Sequence, residues 1–199
     1  MTNRSRFEII YLLIGNEPTT LRGKYIMAYV SQEKKKQLAP KIKEVLKKYG
    51  MKGTISVNNH STLVVTIKEG KLDMIGAKNE AMMNSNHYDL QYNPYDCQQM
   101  ANRLADEYLQ VNTYWIEDNY GDGEVGQFLL ELKDAMEGPD FFNHDDSMTD
   151  YFHRSHYIDI DVGKYNKPYV CTGEMKDYKD LIEGLKLQAT MLFNKKETA

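Results

Sequence analysis

The stretch Tyr157-Ile158-Asp159-Ile160-Asp161-Val162 alternates apolar and polar residues without a break. A period of two is that of a β-strand, so Ile158, Ile160 and Val162 share one face while Tyr157, Asp159 and Asp161 share the other. Gly163 ends the run, and Tyr169 to Thr172 is expected to return beside it as a hairpin partner. A second hairpin is read upstream. Ile55 and Val57, then Leu63, Val65 and Ile67, alternate on either side of Asn58-Asn59-His60-Ser61, and Asn tolerates the positive φ angles of such a turn.

Helices are expected around these strands. Leu38, Ile42, Val45, Leu46 and Tyr49 recur at helical spacing before Gly50, so 33–49 reads as an amphipathic helix with lysines outward. Pro94 opens a second helix in which Cys97, Met100, Ala101, Leu104, Ala105 and Tyr108 share a face. A third follows Gly123, with Val125, Phe128, Leu129, Leu132 and Met136 inward and Gly138-Pro139 as its stop. Met175, Tyr178, Ile182, Leu185, Ala189 and Leu192 make a closing helix. Lys78 to Asn93 is polar and Asn-rich, and residues 5–14 fit neither period. The five prolines (18, 40, 94, 139 and 168) are placed at element edges. The sum is an α+β fold, a small antiparallel sheet of two hairpins packed against amphipathic helices. It forms a single domain over 1–199, with 1–30 as an arm or peripheral element.

A chain of 199 residues buries about 70% of its unfolded surface. Its 41% hydrophobic and 27% charged residues are too apolar a mix for a disordered chain. The apolar run Ile9 to Ile14 is far short of a membrane span, so no membrane partner is expected. Cys97 and Cys171 belong to no CxxC pair, which fits reduced thiols in a cytoplasm.

The net charge of -4 hides two opposed segments. Between Glu33 and Lys52, eight lysines stand against two glutamates. Between Glu117 and Asp161, thirteen acids stand against Lys133 and Arg154. Each segment suggests a function. The acidic one, with Tyr157 and Asp145, Asp146, Asp150, Asp159 and Asp161 in contact, could occupy a basic groove of a protein partner, and fifteen tyrosines in the chain offer amphipathic contact area. The basic one could hold a single-stranded nucleic acid, with Lys34, Lys35, Lys41, Lys47 and Lys48 on phosphates and Tyr88 and Tyr92 stacking on bases.

A third reading takes His144, His153, His156, Asp159 and Asp161 as metal ligands of a hydrolase or nuclease, since imidazole and carboxylate suit zinc, manganese or iron. Asp159 and Asp161 share a strand face, but His156 has the opposite parity, and the spacing matches no helical or knuckle pattern. Asp118 to Glu124 resembles a calcium loop at its first, fifth and sixth places, but Tyr120 and Leu129 break the third and twelfth. Asp122 and Gly123 read better as the turn that starts a helix. No phosphate-binding loop, dinucleotide fingerprint or nucleophile elbow occurs, and no cofactor is expected.

Several stretches together carry a resemblance. They are Leu38-Ala39-Pro40, Lys47-Lys48-Tyr49-Gly50-Met51-Lys52-Gly53, Asn59-His60-Ser61-Thr62-Leu63-Val64-Val65, Asn119-Tyr120-Gly121-Asp122-Gly123, Tyr157 to Gly163, and Asn166-Lys167-Pro168-Tyr169. Over roughly residues 30–172 the chain resembles uncharacterised small proteins encoded by tailed bacteriophages. The resemblance implies a chain made in an infected bacterial cytoplasm that binds a host protein as inhibitor or modulator. That favours a binding protein over an enzyme.

Overall fold

The computed structural model describes residues 28–85, 87–146, 148–149 and 152–197. The expected arm over residues 1–30 and the unassigned stretch 5–14 lie almost wholly outside the described residues, as does Asp150. The described residues hold six helices and a five-stranded mixed sheet, an α+β fold.

Helix α1 (Gln32–Lys48) starts where the Ser31 hydroxyl accepts the Lys34 N–H at 2.9 Å. Its buried face is Leu38, Ile42, Val45 and Leu46. Pro40 lies within this helix rather than at an edge. The ring removes one backbone donor, but packing of Leu38 before it and Ile42 after it carries the helix through.

Strands β1 (Met51–Asn58) and β2 (Thr62–Gly70) form the expected hairpin, with Asn59 and His60 both at positive φ in the turn. Two helices separate them from the next strand: α2 (Met74–Met83), capped by the Asp73 carboxylate on Gly76 N–H, and α3 (Pro94–Leu104), with Asn93 as N-cap. Then come β3 (Leu109–Val111), the short α4 (Ile116–Tyr120) and α5 (Glu124–Glu137). Asp118 to Tyr120 are thus helical, and Gly123 is the N-cap of α5, as the turn reading expected.

Strand β4 (Tyr157–Val162) corrects the expected pairing. It lies parallel to β2, from Thr62 opposite Tyr157 to Ile67 opposite Val162, and antiparallel to β3 on its other edge. Its second edge is therefore occupied, and β5 (Val170–Cys171) cannot return beside it. Instead β5 pairs in parallel with Glu69 and Gly70, the part of β2 that extends past β4. Gly163, at φ +64, turns the chain out, and the buried Tyr169 hydroxyl donates to Leu72 O at 2.8 Å to anchor it. The sheet is mixed, not antiparallel.

The apolar sheet face, Leu63, Val65, Ile67, Val111, Ile160 and Val162, forms one core with α1 and with Phe128, Leu129, Leu132 and Met136 of α5. A smaller core joins α3 to α6 (Lys179–Glu197) through Met100, Ala101, Leu104 and Leu185. Among the described residues no helix is long and apolar enough to cross a membrane.

Candidate functional site

The parallel placement of β4 brings its start against the end of β3 and the last turn of α5, and a cavity of about 340 Å³ opens there. Its walls come from Asn112 to Tyr114, from Lys133 and Glu137 on α5, from Phe141 and Asn143, and from Arg154 to Asp159. The floor is fixed by His156, which is fully buried. Its Nε2 lies 3.0 Å from Met136 O and its Nδ1 2.9 Å from Ser155 Oγ. A carbonyl can only accept, so Nε2 carries the proton and Nδ1 accepts from the serine hydroxyl. Burial lowers the imidazole pKa, more than the Met136 hydrogen bond raises it.

One wall is an ion pair shielded from solvent. Arg154 Nε donates to Asp145 Oδ2 at 2.7 Å, and Nη2 donates to the same oxygen and to the Tyr114 hydroxyl, the latter at 3.1 Å. The guanidinium lies 4.5 Å over the Tyr157 ring. Asp145 also accepts the His153 N–H at 2.8 Å, and the Arg154 hydrogen bond holds its carboxyl below the usual carboxylate range despite burial. Asp145 therefore positions Arg154.

Two other carboxylates of the cavity have no hydrogen-bond partner among the described residues: Glu137 and Asp159. Burial raises the pKa of each, against the attraction of Lys133 in the case of Glu137. Asp161, two residues along β4, is raised by burial and then by the charge of Asp159. Asp146 is exposed and accepts Met148 N–H and the Thr149 hydroxyl, each at 2.9 Å, which lowers its pKa.

Exposed aromatic side chains adjoin cavity-lining residues along the chain, Tyr114 being one of the lining residues itself. Tyr114 is 70% exposed, Trp115 57% and Phe152 59%. Sequence periodicity does not reveal them, because they lie in turns. The available signal was the aromatic pair Tyr114-Trp115 directly after the turn-forming Asn112-Thr113, where Asn112 Oδ1 accepts the Tyr114 N–H at 3.1 Å.

The residues read as metal ligands are dispersed. His144 and His153 lie 5.6 Å apart by ring centroids, both against Phe142, while His156 spends both nitrogens inside the core and Asp159 and Asp161 face away from it. Among the described residues no three His, Cys, Asp or Glu side chains could hold one ion.

The basic and acidic segments meet each other. Lys41 pairs with Asp134 at 2.6 Å, and Lys48 with Glu131 at 2.6 Å, across the contact of α1 with α5. Tyr49 adds its hydroxyl to Glu131 at 2.9 Å, and the Lys48 and Tyr49 hydrogen bonds lower the glutamate pKa. Lys34 and Lys35 are half-buried, with the Lys34 pKa lowered by burial, and Lys47 is exposed on the outer face of α1. Tyr88 packs against the α3–α6 core and Tyr92 is exposed beside it, whereas α1 packs on α5 and β1. No known family model, curated protein or solved structure matches the chain.

Proposed function

We propose that the chain is a non-enzymatic accessory protein that binds another protein through the aromatic and acidic surface around the cavity at the start of β4. The observation that carries this reading is the exposure of its one tryptophan, Trp115, next in the chain to the likewise exposed, cavity-lining Tyr114, with Phe152 exposed two residues before Arg154. Aromatic side chains of this size are ordinarily buried, and an exposed group of them is the composition of a binding hot spot. Arg154, held by Asp145 and stacked on Tyr157, supplies a fixed planar donor within the same surface. Glu137 and Asp159 line the cavity, and with Asp146 and Asp161 close by in the chain they make this region negative, which suits a basic partner and would steer its approach.

The resemblance to small phage-encoded chains supports a host protein as that partner, in a bacterial cytoplasm. The test is an affinity capture from bacterial lysate, with and without nuclease treatment, using the full chain and the double variant Trp115→Ala, Phe152→Ala. The reading requires one stoichiometric protein that survives nuclease and is lost with the double variant. Recovery of nucleic acid alone would instead favour the lysine face of α1.

A further inference from the structure

A larger cavity lies elsewhere, where α2, the end of α3, β3 and α4 meet, and it measures about 560 Å³. That is within the range of small-molecule sites. Two cations line the cavity. Lys78 Nζ donates to Arg103 O at 2.6 Å and to Asp106 O at 3.0 Å, so the ammonium is fixed at the end of α3 with one proton uncommitted. Lys78 also quenches the carbonyls that would repel an anion there. Arg103 is exposed and lines the cavity, and its guanidinium forms no hydrogen bond or ion pair among the described residues. Asp106 is the one carboxylate in the lining, and His87 is the remaining titratable group.

Three tyrosines share the cavity with them. Tyr88, Tyr108 and Tyr120 all contribute to the wall, and each is partly buried. Burial pushes the Tyr120 phenol up to about 12, so it keeps its proton and remains a donor at neutral pH. A fixed ammonium and a second cation in one cavity with three tyrosine side chains match a ligand with an anionic end and a flat aromatic end.

We propose that this cavity binds a nucleoside monophosphate, free or at the end of a single strand, with the phosphate between Arg103 and Lys78 and the base against the tyrosine rings. The proposal rests on none of the residues of the protein-binding surface. Tyr88 is the single residue it shares with the single-strand reading of the sequence, and the lysines of α1 play no part.

The test is calorimetric titration of the full chain at low salt with AMP, a short oligothymidylate, adenosine and inorganic phosphate. The variants are Arg103→Ala and Arg103→Lys. Because Arg103 is exposed and unpaired, both variants should melt with the native protein. AMP or the oligonucleotide should bind saturably, at least about tenfold tighter than adenosine or phosphate alone. Arg103→Ala should lose about tenfold in affinity and Arg103→Lys should recover part of it. Binding of AMP marks a free nucleotide as the ligand, and binding of the oligonucleotide alone marks a strand end. The proposal is overturned if neither binds saturably at millimolar concentration, if Arg103→Ala binds as well as the native chain, or if phosphate or adenosine binds as tightly as AMP.

Discussion

His156 Nε2 donates to the main-chain carbonyl of Met136 at 3.0 Å, which ties the start of β4 to the last turn of α5. The ring is neutral in the fold because burial lowers its pKa below that of the unfolded chain. On acidification the unfolded chain therefore takes up the proton first. Stability is complete above the unfolded value of about 6.5 and falls as the pH drops through it. Denaturant midpoints measured between pH 7.5 and 5 should show this loss. His156→Gln, which keeps an amide donor for Met136 O, should flatten the slope.

Neighbouring substitutions on β4 should act with opposite sign. Ile160 is fully buried, and Ile160→Ala should cost about 2–5 kcal/mol of stability. Asp159 faces the other side of the strand with its pKa raised by burial, so ionising it opposes folding once the pH exceeds the unfolded value of about 3.9. Asp159→Asn should therefore stabilise the protein at pH 7, and the gain should vanish near pH 3. Thermal melts at the two pH values check both signs.

Gly138 ends α5 at φ +71, and a Cβ placed there would meet the Leu38 side chain on α1. The left-handed backbone strains any side chain there, and the Leu38 methyl would have to move aside. Gly138→Ala should cost more than about 1 kcal/mol, read as a lowered denaturant midpoint with an unchanged slope.

The apolar rhythm of β4, the β1–β2 hairpin, α1, α3, α5 and α6 were all legible in the sequence, because each buries one face on one side. Pairing direction was not. A period of two places Ile160 inward whether its neighbour runs parallel or antiparallel, and β5 holds only Val170 and Cys171. Helix α2 was hidden because Met74, Ile75, Gly76 and Asn79 are all buried within two turns, with no regular stripe. The site was half visible. The acids of 145–161 were singled out, but Asp145 is spent on Arg154, and the opposed charges of α1 and α5 satisfy one another, which only the fold reveals.

Trp115 and Phe152 are exposed, so truncating them removes little packing. Trp115→Ala and Phe152→Ala should each change stability by no more than about 0.5 kcal/mol while abolishing partner capture. Chemical denaturation beside the capture experiment separates the two effects.

The most direct measurement uses the same side chain. Trp115 is the one tryptophan in the chain, so intrinsic emission selected at its excitation reports a single position. Free protein should emit as a solvent-exposed indole, and adding the captured partner should shift the emission to the blue in a saturable way. Stoichiometric binding of the partner with the Trp115 emission unchanged would contradict the assignment of this surface.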